Sequence, residues 1–166
     1  MNEFLSQLFQ SPEKRYLSQQ ELGVLSKMVS SLPERIKIYR YLRDQEVKLV
    51  QALVNQLSPE LAKTEAPALE QAVKSIVLVL RYAAMAMLTN DTQLVQCRLE
   101  NWLPAMMEAH QNQAVVQALH RGLTQALSKT LSAKQFALLR PSLDQVQSLL
   151  ATRPQAERIT ELLEPV

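Results

Sequence analysis

The sequence predicts an all-α protein. Gly occurs only twice, at Gly23 and Gly122, which leaves little room for tight hairpin turns. Leu, Ala, Gln, Glu and Lys dominate, and these are strong helix formers. Apolar residues recur at helical spacing through most of the chain. With 166 residues, 47% of them apolar and 20% charged, the chain is long enough to bury a core and too apolar to be disordered.

The first element is a short amphipathic helix built on Phe4, Leu5, Leu8 and Phe9 and cut off by Ser11-Pro12. A helix this short does not persist alone in water, so its apolar face either folds back on its own domain or docks on another subunit. Ser18 and Glu21 have the spacing of a capping box. A helix is expected from there to about Ser31, with Leu22, Leu25, Met28, Val29 and Leu32 as its buried stripe. Pro33 then suits the first turn of a new helix, where its missing N–H costs nothing. That helix carries Ile36, Ile38, Tyr39, Leu42, Val47, Val50, Leu53, Val54 and Leu57 and ends near Ser58-Pro59. Its Arg35, Lys37, Arg40, Arg43 and Lys48 alternate with Tyr39 and Tyr41, but Glu34, Asp44 and Glu46 dilute the charge. We expect a solvated face with local ion pairs rather than a nucleic-acid surface.

After a polar connection from Leu61 to Ala68 comes the stretch from Ala72 to Asp91, around which the chain is organised. From Ile76 to Leu88 nearly every residue is apolar and no polar face exists, so the helix belongs in a core or a membrane. The run is too short to span a bilayer and Arg81 interrupts it, which favours a central core helix and no membrane span. A charge in so apolar a helix needs a partner. Asn90-Asp91-Thr92 reads as a stop and a new N-cap.

Further helices follow to about Glu100 and from Asn101-Trp102-Leu103-Pro104, the second with Leu103, Met106 and Met107 as core. A polar break spans His110 to Gln113, and Val115, Val116, Leu119, Leu123 and Leu127 mark an amphipathic helix to about Leu131. Ser132 to Gln135 caps a short helix. Arg140-Pro141-Ser142 starts another, with Leu143, Val146, Leu149 and Leu150, and Arg153-Pro154 a last piece with Ile159, Leu162 and Leu163. No repeat or linker divides the chain. It reads as one domain over 1–166, with an extension at 1–17, a bundle at 18–150 and a tail at 151–166.

The functional signals are mostly exclusions. A net charge of +2 is too small to argue for nucleic acid. One cysteine, Cys97, forms no internal disulfide and fits a reducing compartment. The first residues lack a basic n-region and a long apolar h-region, so the expected location is cytoplasmic. Phosphate loops, nucleophile elbows and zinc motifs are missing. His110 and His120 are ten apart, share no helical face as an i, i+4 pair would, and read as surface or interface residues. Cys97 reads as a structural thiol, and Met85, Met87, Met106 and Met107 as core filler. An enzyme is not expected.

Two runs carry a resemblance. Arg15-Tyr-Leu-Ser-Gln-Gln-Glu-Leu22 is similar to the entry of the first globin helix of phycobiliproteins. Leu80-Arg-Tyr-Ala-Ala-Met-Ala-Met-Leu-Thr-Asn-Asp91 resembles that family's LRY.TYA...AGD. Asn101 and Leu103 fall on its NGL stretch. The resemblance covers roughly residues 1 to 130. It implies a globin-like bundle behind an N-terminal helical extension that packs on a partner subunit. Phe4, Leu8, Phe9 and Glu13 would be the contacts on the extension, and Arg81 and Tyr82 those on the receiving side. The family's aspartate that meets this arginine falls on Ser11, which leaves Glu13 as a substitute.

The bilin-attaching cysteine of the family falls on Ala72, its propionate-binding arginine on Lys74 and its pyrrole-binding aspartate on Ser75. An alanine forms no thioether, so the resemblance implies no covalent bilin and no light harvesting. The expected role is that of a pigment-free interaction protein in assembly, regulation or turnover of the phycobilisome, with phycobiliprotein subunits, assembly factors or a second copy as partners. The alternative is a carrier or sensor that holds a bilin or other tetrapyrrole non-covalently, with Lys74 and Trp102 as contacts.

Overall fold

Ser18 opens the first helix, α1 (Gln19–Leu61). The Glu21 N–H donates to Ser18 Oγ (3.3 Å) and the Ser18 N–H to Glu21 Oε2 (2.7 Å), the expected capping box. The computed structural model describes residues 16–151. The extension carrying Phe4, Leu8, Phe9 and Glu13, and the last piece with Ile159, Leu162 and Leu163, lie outside the described residues. After α1 come α2 (Ala66–Thr89), α3 (Gln93–Leu99), α4 (Leu103–Ala109), α5 (Gln113–Thr130) and α6 (Ala133–Ala151). The described residues contain no strand, and the fold is all-α.

Pro33 and Pro141, two of the three prolines inside the described helices, overturn an expected boundary. Pro33 does not start a helix; it lies inside α1, as Pro141 lies inside α6. A proline at position i removes the N–H that would bond carbonyl i−4. In each case the residue whose carbonyl is released, Val29 or Ala137, is exposed, so water can serve it. Just ahead of Pro33, the Ser30 and Ser31 hydroxyls donate back to the carbonyls of Lys27 and Met28, a local arrangement that bends helices without ending them.

The centre of the bundle is α2, which packs against α1, α3, α5 and α6. Ala72, Ile76, Val79, Leu80 and Ala83 on it are fully buried. The helix is long and apolar enough to cross a membrane by length and composition, more so than its apolar run suggested, but this burial marks it as a core helix. Its burial is one-sided, however: Leu78, Arg81 and Met85 are exposed. It stops where expected. Asn90 takes the left-handed conformation (φ 55°) and the Asp91 N–H reaches back to the Ala86 carbonyl at 2.9 Å, a Schellman-type ending for which Asn is suited.

The other pairings are close. α5 approaches α1 at Gly122, where a Cβ would lie 2.6 Å from Leu53 Cδ1 and 3.1 Å from Leu57 Cδ1. A larger residue there would require these leucine tips to shift. α6 begins with a second reciprocal cap between Ser132 and Gln135, and the Gln117 side-chain amide donates to the Leu150 carbonyl near its end (2.8 Å).

Candidate interaction surface

Arg81 stands on the outer face of α2, opposite Glu46 of α1. Its Nε and Nη2 each lie 2.7 Å from a different Glu46 oxygen. This side-on fork matches guanidinium to carboxylate geometry. Glu46 is the buried member of the pair and Arg81 the exposed one. The hydrogen bond from Arg81 holds the Glu46 carboxyl below its usual range against the opposing effect of burial, and the same bond raises Arg81. The charge in the apolar helix thus has its partner within the chain. Glu46 had looked like a diluting charge on a solvated face.

The pair bridges a seam between α1 and α2 with a groove on each side. One, of about 280 Å³, runs between Tyr39, Leu42 and Arg43 on α1 and Ala84 and Met85 on α2. The other, of about 340 Å³, has valine walls: Val47, Val50 and Val54 face Val73 and Val77. Val47 is 78% exposed. Tyr82, named beside Arg81, is half-buried and packs against the core. Arg43 binds its neighbour Asp44.

Ahead of the seam, α1 runs on as an arm that no other described helix covers. The expected buried stripe of this segment is not buried. Leu22 is 49% exposed, Val29 56% and Leu32 41%, while Leu25 and Met28 are half-buried. The physical reason is the length of α2. It ends at Asn90, beside Arg35, and no described helix continues past that point. The first buried residue of α1 is Arg35, which corrects its expected place on a solvated face. Its Nη2 donates to Asn90 Oδ1 (2.8 Å), its Nε is buried without a partner, and burial lowers its pKa.

A third feature lies between α5 and α6. His120, expected at the surface, is 2% exposed. Its Nδ1 is 3.0 Å from Gln147 Oε1 and its Nε2 is buried without a partner. Since the Gln147 oxygen can only accept, Nδ1 carries the proton. Burial pushes the His120 pKa down, offset in part by Gln147 and Asp144. His110 remains half-exposed and Cys97 is exposed, so the thiol is not a core residue. Among the described residues no three His, Cys, Asp or Glu side chains gather as a metal site requires.

A family model for phycobilisome proteins matches residues 11–150. The chain belongs to the phycobilisome protein family. Its all-α body has the globin-like arrangement of that family. A comparison with curated proteins returns no match.

The resemblance to phycobiliproteins places the pigment site at Ala72 and Ser75, and both are buried. Ala72 is 0% exposed and Ser75 4%. Neither offers a thiol or a buried anion. Lys74 points outward and pairs with Glu70 at 2.6 Å. These residues do not fit a covalently attached bilin. Trp102 is half-buried and packs on the core, while Lys74 is exposed on α2 and spent on Glu70.

Sequence reasoning found Arg81 and the helix that bears it. It missed Glu46, Arg35 and His120. Only the antiparallel register of α1 on α2 brings Glu46 opposite Arg81, and no local signal encodes that register.

Proposed function

We propose that this member of the phycobilisome protein family is a pigment-free interaction protein that acts in assembly, regulation or turnover of the antenna. The carrying observation is a family body in which Ala72, where the resemblance puts pigment attachment, is buried in the core, while apolar side chains along α1 and beside Arg81, such as Val29 and Val47, are exposed. A phycobilisome protein without its pigment retains the property of binding other chains. Exposed contiguous apolar surface is the usual mark of such a role. No described constellation supports catalysis, and the reading assigns none.

The test is capture of isolated antenna subunits on the immobilised full chain, with an absorption spectrum of the purified protein alongside. Retention of phycobiliprotein subunits, and no visible absorbance by the protein itself, is the expected result. Absence of any retained subunit, or a bilin that stays with the denatured polypeptide, overturns the reading.

A further inference from the structure

Between α5 and α6 lies a cleft of about 400 Å³, within the size range of small-molecule sites. It shares no lining residue with the grooves beside Arg81. Phe136 and Leu143 give it an apolar wall. The Thr124 and Ser128 hydroxyls in the lining donate to carbonyls of their own helix. The donors left to a ligand are the guanidiniums of Arg121 and Arg140 and the side-chain amides of Gln125 and Gln147.

The charge around this cleft is one-sided. From Ala109 to Leu143 the sequence has no Asp or Glu, and it carries Arg121, Lys129, Lys134 and Arg140. With these four bases against the single acid Asp144, α5, α6 and the turn between them hold a formal charge of +3, more than the +2 of the whole chain. Arg121 takes part in no ion pair among the described residues. Arg140 meets Asp144 at 3.5 Å, against 2.7 Å for Arg81 on Glu46. That long contact leaves Arg140 available to a better-placed oxyanion. His120 forms the buried part of the lining. Of the charges near it, Arg121 disfavours its protonation and Asp144 favours it.

We propose that the α5–α6 cleft binds a small organic anion, its carboxylate or phosphate group held by Arg121 and Arg140 and its apolar body set against Phe136 and Leu143. A guanidinium matches either oxyanion with parallel N–H bonds. The cleft's excess positive charge draws the anion in, and a bound anion adds a second charge that favours protonated His120. This site stands apart from the capture of antenna subunits, which neither supports nor refutes it.

Calorimetric titration of the full chain with phenyl phosphate and with benzoate tests it, with benzamide as the neutral counterpart. At least one of the two anions should bind at millimolar concentration, and benzamide should not. Binding of phenyl phosphate alone assigns a phosphate ligand, and of benzoate alone a carboxylate. Arg121→Gln and Arg140→Gln should each weaken binding about tenfold, the loss expected for a charge-assisted bond. Both positions are exposed, so helicity should not change, and either variant reports if the other fails to fold. Lys63→Gln, at an exposed position outside the cleft, should bind as the wild type does. By proton NMR, the His120 ring should shift on titration and its pKa should rise, while the ring of half-exposed His110 stays in place. Binding of neither anion, equal binding of benzamide, or a loss in Lys63→Gln as large as in the arginine variants overturns the proposal.

Discussion

Up to Pro33, α1 places Leu22, Val29 and Leu32 along one face and leaves them in water. From Arg35 onward the same spacing puts Ile38, Leu42 and Leu53 inside the bundle. The two halves belong to one helix, and helical propensity does not distinguish them. What differs is the length of the neighbour. α2 has 24 residues against the 43 of α1, roughly 36 Å against 65 Å. An amphipathic stripe therefore reports that a helix face wants cover, without saying whether the cover comes from the same chain.

The largest expected effect separates the halves directly. Leu53→Ala should destabilise by about 2–5 kcal/mol, the range for a buried leucine. Val29→Ala should stay within about 0.5 kcal/mol, as exposed positions do. Urea unfolding at a dilution where chains do not associate measures both, and equal costs would dissolve the contrast.

A smaller effect tests the covered half of the molecule through His120. Its folded pKa lies below the ordinary value of 6.5. As pH falls through that value, the unfolded chain binds a proton that the folded one does not. Stability should therefore drop as pH goes from about 7 toward 5. His120→Leu should flatten this slope; thermal unfolding across the range decides, and an unchanged slope would assign the titration elsewhere.

The smallest effect belongs to the bridge across the seam. A double-mutant cycle with Glu46→Gln and Arg81→Gln should return a coupling of about 0.5–1 kcal/mol, since the arginine is largely in solvent. The Glu46 carboxyl is held below its usual 4.5, so the coupling is present above that pH and disappears as the folded carboxyl protonates. High salt should weaken it. A coupling near zero would mean that the fork orders the surface without stabilising it.

Arg35 and Arg81 show how far single residues could be read. The sequence placed Arg35 on a wet face because acidic neighbours surround it, and Arg81 in a dry one because alanines and valines do. The structure reverses both. A guanidinium on a long stem reaches the nearest polar group, which for Arg35 is the end of α2 and for Arg81 a carboxylate of α1. The caps at Ser18 and Ser132, and the stop at Asn90, were legible because their bonds close within three to five residues. The prolines misled because a boundary was inferred from one lost hydrogen bond, whose carbonyl, at Val29 or Ala137, is exposed and can be served by water.

By itself, the sequence determined that this chain is helical, where its first and last described helices are capped, which stretch is central, and that the chain is of phycobilisome type. Those properties depend on residue type and on contacts within a turn or two. Tertiary structure alone decided that α1 is one rod, that its first turns lie beyond the other described helices, that Glu46 meets Arg81, and that His120 is buried. Each of these depends on how far one helix extends along another, a distance that no local pattern in the chain records.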